Sequence, residues 1–287
     1  MPARDFEELL AILDLSRIDD DIFVGSHPSR NPPRTFGGQM MAQSFVAASR
    51  TLAHAIPPSA LSAHFIAGGH PEKDLEFHVV RLRDERRFAN RRVDVMQDGE
   101  LLTTAMLSYM NGGRGLEHGI EPPDVPDPLT LPKIGELLRG YEQTVPQFVS
   151  ALRPIEWRYT NDPAWVMRDK GERLDHNRVW LKTEGPMPDD PVLHAAALVY
   201  SSDTTVLDSI ITTHGLSWGF DRIFAVTMNH SVWFHRPVRF DEWVLYSTSS
   251  PVAAESRGLG TGHFFDRSGQ LLATVVQEGI VKHFPGR

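Results

Sequence analysis

The sequence contains no cysteine. That excludes a disulfide scaffold, a thiol nucleophile and a Cys-ligated metal site, and it fits a reducing compartment. Long apolar runs are missing too. No window approaches the ~18–20 apolar residues of a membrane-spanning helix. Met1 to Asp21 carries acids throughout, without the apolar centre of a secretory signal. The closing residues His283-Phe284-Pro285-Gly286-Arg287 are neither a lipidation nor a peroxisomal address. A surplus of basic charge is also absent. Lys and Arg number 29 against 37 Asp and Glu, a net charge of −8, so a nucleic-acid partner is not expected. The H-E-x-x-H zinc pattern does not occur. The 13 histidines are scattered. His230 and His235 have opposite parity on one expected strand, which is poor geometry for a shared metal. No cofactor or metal is expected, and a soluble cytoplasmic protein is.

What remains is a chain of 287 residues with 41% apolar content, enough for one large domain or two modest ones. Helical spacing of Phe6, Leu9, Leu10 and Leu13 predicts a short amphipathic helix over 6–15, broken by Asp19-Asp20-Asp21. Ser26 to Arg34 reads as a Pro-rich loop. Met40 to Leu52 is apolar on most faces, as a buried helix is. Gly37 and Gly38 stand at its entrance, where a backbone can approach a ligand and a helix start exposes amides; a plain tight entry turn is the simpler alternative. Leu75 to Leu82, Phe88 to Val95 and Leu101 to Tyr109 alternate as strands, with a hairpin turn at Gln97-Asp98-Gly99. Asn111 to Pro132 is rich in Gly, Pro and acids and reads as a linker. Ile134 to Phe148 looks partly helical, and Pro154 to Tyr159 opens another strand.

The second part repeats the plan. Val192 to Ile211 is again a largely apolar helix, followed by the connector Thr212 to Arg222 and more strands. Asp98-Gly99-Glu100-Leu101-Leu102-Thr103-Thr104-Ala105-Met106-Leu107 aligns without gaps on Ser268-Gly269-Gln270-Leu271-Leu272-Ala273-Thr274-Val275-Val276-Gln277. His64-Phe65 with Pro71 loosely echoes Trp233-Phe234 with Pro237. Two copies of a buried helix followed by an antiparallel sheet imply an α+β fold in which each sheet wraps one helix and the copies pair. The expected division is an N-terminal repeat over 1–112, a linker over 113–150 and a C-terminal repeat over 151–287.

Chemistry is expected where the copies differ. The first buried helix has no acid. The second carries Asp203, on an apolar stripe with Leu193, Ala196, Tyr200 and Leu207. A carboxylate there is costly unless it is paired, which makes it a functional candidate; it is equally read as an acid at the stripe's edge or at a break in the helix. Gln277 replaces Leu107 on a face otherwise made of Leu271, Ala273 and Val275, unless that strand end is solvated. In the strand around Thr227 to Phe234, alternation puts Val226, Met228, His230, Val232 and Phe234 on one face. Thr227, Asn229 and Ser231 fall on the other, with Ala225 and Trp233. An acid, a hydroxyl and an amide can accept a proton from water and fix that water against a carbonyl.

Several of these stretches are those of a known family. The chain resembles the acyl-CoA thioesterase II family through Phe36-Gly37-Gly38-Gln39, Arg91-Arg92-Val93 and Gln97-Asp98-Gly99. In the second half the resemblance rests on Trp233-Phe234-His235-Arg236-Pro237, Ser256-Arg257-Gly258 and Val276-Gln277-Glu278-Gly279. The resemblance implies a double-hotdog fold and hydrolysis of medium- to long-chain acyl-CoA, without a cofactor, by Asp203, Thr227 and Gln277 acting on water. It leaves Gly37 and Gly38 as candidate substrate-binding positions. It also fits a role in lipid metabolism, and the open edges and apolar outer patches of layered sheets lead to the expectation of a homo-oligomer. Two departures stand out: Asn229 replaces the family's usual acid, and Ala67-Gly68 replaces an Arg and a Pro. A non-catalytic acyl-CoA-binding protein and, less well supported, an enoyl-CoA hydratase are the alternatives. The hydratase chemistry wants an Asp–His pair that this helix lacks. Met40, Met41, Phe45 and Trp233 are candidates for an acyl tunnel, each more simply read as core.

Overall fold

The computed structural model describes residues 2–27, 34–145 and 154–284. Most of the expected 26–34 loop and residues 146–148 of the partly helical stretch lie outside them. The chain opens with helix α1 (Pro2–Leu13) and a short hairpin of β1 (Ser16–Asp19) and β2 (Ile22–Gly25). The acidic run read as a simple helix breaker is thus the turn of a hairpin. Helix α2 (Gly37–Ser49) follows, then β3 (Pro58–Phe65), β4 (Leu75–Asp84), β5 (Phe88–Gln97) and β6 (Glu100–Met110). At the β5–β6 turn Asp98 and Gly99 have φ of 50° and 81°, the left-handed pair a two-residue hairpin needs.

Residues 111–127 form no helix or strand. A 3-10 turn (Pro128–Thr130) and one turn of helix α3 (Ile134–Leu137) come next. The second half has β7 (Ile155–Tyr159), α4 (Ala164–Lys170), β8 (His176–Thr183), α5 (Pro191–Ser202), α6 (Asp208–Thr213) and β9 (Ile223–Phe234). It ends with β10 (Val244–Ala254), β11 (Arg257–Asp266) and β12 (Leu271–His283).

Among the described residues twelve strands form one antiparallel sheet in the order β1-β2-β4-β5-β6-β3-β9-β12-β11-β10-β8-β7. The order is mirrored about the β3–β9 junction, where Ser62 pairs with Ser231 and the two hydroxyls lie 2.9 Å apart. The backbone confirms the sequence repeat position by position. Leu61 pairs with Leu107 in the first half, and His230 pairs with Gln277 in the second. Ile66 and Ala67 donate to Leu102 O as His235 and Arg236 donate to Leu272 O.

Helices α2 and α5 lie side by side on the inner face. α2 is buried from Gly38 to Ala48, as its all-round apolarity requires. The two helices run antiparallel. The start of α2 meets the end of α5, where a Cβ on Gly38 would lie 2.4 Å from the Tyr200 carbonyl oxygen. Only glycine permits that approach. Met40, Met41 and Phe45 belong to the core, whereas Trp233 is 40% exposed on the outer face. Among the described residues no helix is long and apolar enough to cross a membrane.

The linker crosses the outer face of the second half. Val125 and Leu131 pack on a small separate cluster of Trp180, Trp243, Leu245 and Phe265. Trp180 Nε1 donates to the Pro126 carbonyl at 3.0 Å, which satisfies the indole's one polar group.

Candidate active site

The expected single helix over 192–211 is two helices, α5 and α6, separated at Asp203. The local sequence explains the break. Ser201, Ser202, Asp203, Thr204 and Thr205 follow one another, and short hydroxyls compete for backbone carbonyls. Ser201 Oγ donates to Ala197 O, Ser202 Oγ lies 2.8 Å from Val199 O, and Thr204 Oγ1 donates to Ser201 O. Asp203 is therefore the C-terminal cap of α5, with φ −87° and ψ 7°. Tyr246 supports the freed end by donating its hydroxyl to Ser202 O at 2.7 Å. Burial, and then the Asp203 charge, hold that phenol well above its usual pKa.

Thr227 reaches the site through a backbone irregularity that alternation did not foresee. The β9–β12 register slips between Glu278 and Gly279, pairing Asn229 with Glu278 and Thr227 with Gly279. Met228 is the extra residue of a β-bulge, which re-aims what precedes it. Thr227 thus shares the inner face with His230 and Val232, not the outer face with Asn229 and Ser231 as expected. Asn229 instead donates to Glu278 Oε2 at 3.2 Å on the outer side, so its departure from the family pattern does not touch this site.

The three side chains picked out in the sequence meet. Gln277 Nε2 donates to Asp203 Oδ1 at 2.8 Å and to Thr227 Oγ1 at 2.6 Å. Thr227 Oγ1 donates in turn to Asp203 Oδ1 at 3.3 Å. The other carboxylate oxygen, Oδ2, accepts the Gly38 N–H at 2.9 Å. Asp203 thereby sits at the start of α2, where backbone amides and the helix dipole favour negative charge. The Gly38 amide, expected to face substrate, is committed to Asp203. Gly37 is adjacent, and a Cβ there would lie 2.7 Å from Asp203 Oδ2.

The equivalent positions of the first half carry none of this chemistry. The β3–β6 register slips between Pro58 and Ala60, the counterpart of the Met228 bulge. Pro58 occupies the Thr227 position and Leu107 the Gln277 position. Tyr109 stands where the second half has Gly279.

Sequence reasoning weighed His230 only as a metal ligand. It is packed, at 0% exposure, but both ring nitrogens are engaged. Nδ1 lies 2.9 Å from Gln277 Oε1 and Nε2 lies 2.8 Å from Ser202 Oγ. Burial pushes its pKa down to about 4. The available signal was the repeat: the offset that sets Trp233-Phe234 on His64-Phe65 also sets His230 on Leu61, so His230 and Gln277 both replace leucines of the first half, and the backbone register pairs them.

The inner row of β12 continues from Gln277 through Gly279 to Val281, and that of β9 from Thr227 through Ala225 to Ile223. Leu207 fills the space that Gly279 leaves open. Beyond it lies a cavity of about 340 Å³ lined by Ile210, Ile211, Leu216, Ile223 and Val281, with His214 and His283 among the residues around it. Among the described residues no cluster of His, Asp and Glu could hold a metal ion.

Comparison with known proteins agrees along the whole chain. The family described as acyl-CoA thioesterase matches residues 148–280, and the acyl-CoA thioesterase N-terminal domain matches residues 27–110. The chain is 30% identical to acyl-CoA thioesterase 2 of Haemophilus influenzae, over 96% of each protein. It is 28% identical to human acyl-coenzyme A thioesterase 8, over 99% of this chain and 92% of that one. A crystal structure of the acyl-CoA thioesterase II TesB2 from Mycobacterium marinum superposes with a TM-score of 0.78 at 32% identity, covering 97% of this chain and 98% of that one. With a mirrored antiparallel sheet around two central helices, the chain belongs to the acyl-CoA thioesterase II family of double-hotdog hydrolases.

Proposed function

We propose that the protein hydrolyses medium- to long-chain fatty acyl-CoA to the free acid and CoA by direct attack of water. The observation that carries this reading is the Asp203 carboxylate. It stands at a helix start with Thr227, Gln277 and the Gly38 amide as donors. A water bound to this carboxylate attacks the thioester carbonyl carbon while Asp203 takes its proton. The tetrahedral oxyanion collapses, the C–S bond breaks, and the CoA sulfur leaves with the proton. Thr227 and Gln277 fix the carboxylate and the water, and pre-set orientation removes much of the entropic barrier. With the Gly38 amide on Asp203, and those of Gln39 and Met40 on Phe36 O, the Gly37 amide is the first-turn donor assigned to the oxyanion. The cavity beyond Leu207 takes the distal part of the acyl chain.

Both Asp203 oxygens already accept hydrogen bonds, which supports general-base use over attack by the carboxylate itself. The enoyl-CoA hydratase reading wants an Asp–His pair, and His230 spends both nitrogens on Gln277 and Ser202. Release of free CoA across a ladder of acyl-CoA chain lengths tests the proposal. Turnover that rises toward medium and long chains supports it. Tight acyl-CoA binding without release from any chain replaces it with the non-catalytic binding protein.

A further inference from the structure

Three of the site's hydrogen bonds form a closed ring with the chain itself. Asp203 accepts from Gln277, Gln277 faces His230, and His230 faces Ser202, which precedes Asp203 in sequence. Each link constrains the next. A glutamine amide has a donor end and an acceptor end, and turning it over exchanges them. A neutral imidazole likewise has one donor and one acceptor nitrogen. His230 is neutral at physiological pH, since burial lowers its pKa to about 4.

Two arrangements of the ring satisfy both His230 nitrogens. In the first, His230 carries its proton on Nδ1 and donates to Gln277 Oε1. The Gln277 NH₂ then points at Asp203 and Thr227, and Nε2 accepts the single Ser202 Oγ proton, which is then not given to Val199 O, 2.8 Å from the same hydroxyl. In the second, the proton is on Nε2, the glutamine is turned over, and its oxygen faces the Asp203 carboxylate. The second arrangement opposes two acceptors across a distance of 2.8 Å and takes a donor from the base. Nearly complete burial removes the water that would otherwise mediate, with His230 at 0% and Gln277 at 1% exposure, so unpaired groups there are expensive.

We infer that His230 is a positioning residue for the hydrolysis: its Nδ1–H locks the Gln277 amide with its donor end on Asp203 and Thr227. It touches neither substrate nor Asp203 and acts only through Gln277. The first half supports this by contrast. Its equivalent pair is Leu61 against Leu107, so this register packs well with leucine when no amide needs aiming. The inference rests on the functional reading above for its kinetic consequences, but not for its tautomer.

The test has two independent arms. In the first, long-range ¹H–¹⁵N spectra of the wild-type imidazoles, with His230 assigned by comparison with His230→Asn, report the protonated nitrogen without any substrate. An Nδ1–H signal is expected, and an Nε2–H signal overturns the inference. The second arm is kinetic. His230→Leu, which mimics the first half, is expected to lower kcat by ~10- to 100-fold, as a small misplacement of a reacting array does, with KM changed less than about threefold. His230→Asn, which keeps a donor near Nδ1, is expected to recover most of the loss. In a Gln277→Leu background His230→Leu is expected to add nothing, because the two act as one unit. Unchanged kcat in His230→Leu, or losses that multiply in the double variant, overturn the inference. A wild type that releases no CoA from any chain overturns the functional reading instead, and the tautomer then decides the inference alone.

Discussion

At the scale of single residues, Asp203 and Gln277 were legible because the chain contains its own control. The first half holds the same fold with a leucine at the Gln277 position, so an amide there asks for an explanation. Thr227 was flagged on the wrong face. Period-two alternation carries no information about a bulge, and the extra residue at Met228 turns everything before it over. His230 yields a pH prediction. In the unfolded chain its imidazole titrates near the ordinary 6.5, while burial lowers it to about 4 in the fold. The unfolded state takes the proton first as pH falls. The contribution is therefore whole above ~6.5 and is lost on going down toward ~4, a swing of up to roughly 3 kcal/mol. The melting temperature of the wild type is expected to fall across that window more steeply than that of His230→Leu. Parallel curves would refute the assignment.

Between elements, bare backbone lets helices and strands come close enough to assemble the site. Gly38 lets α2 approach the end of α5. Gly258, Gly260 and Gly262 on β11 receive Ile210, Val206 and Tyr246, each so near that an added Cβ would lie 2.4–2.5 Å from the neighbour. Gly38→Ala forces a methyl against a main-chain oxygen and pulls the amide from Asp203. A loss of ~1–3 kcal/mol in denaturant unfolding is expected, together with reduced turnover; a variant as stable and active as the wild type would show that the contact is dispensable. The cavity past Leu207 gives a second prediction. Val281→Trp is expected to reduce turnover of long-chain acyl-CoA and to spare short chains. An unchanged chain-length profile would place the acyl group elsewhere. Neither the cavity nor the helix break could be read from periodicity, since α5 and α6 share one apolar pattern and the break depends on hydroxyl–carbonyl bonds.

For the whole molecule, the repeat in sequence already implied the paired architecture, and the gapless match of β6 on β12 holds in the backbone register. The β1–β2 hairpin, α4 and β8 were not legible. The two hairpin strands are too short for alternation to show, and the signal of β8 is interrupted by Asn177 and Arg178. The site joins both halves, because Gly38 comes from one and Asp203 from the other. A fragment spanning 113–287 is therefore expected to be inactive alone, having lost β3 and the start of α2, and to regain turnover when co-expressed with 1–112. Hydrolysis by the isolated fragment would contradict a site shared between the halves. The most direct test of the central claim is free-CoA release by wild type and Asp203→Asn side by side, with acyl-CoA affinity measured on both. The neutral isostere is expected to bind acyl-CoA within a few-fold of wild type and to turn it over ~10²- to 10⁴-fold more slowly. Equal turnover by the two would contradict the assignment of Asp203 as the base.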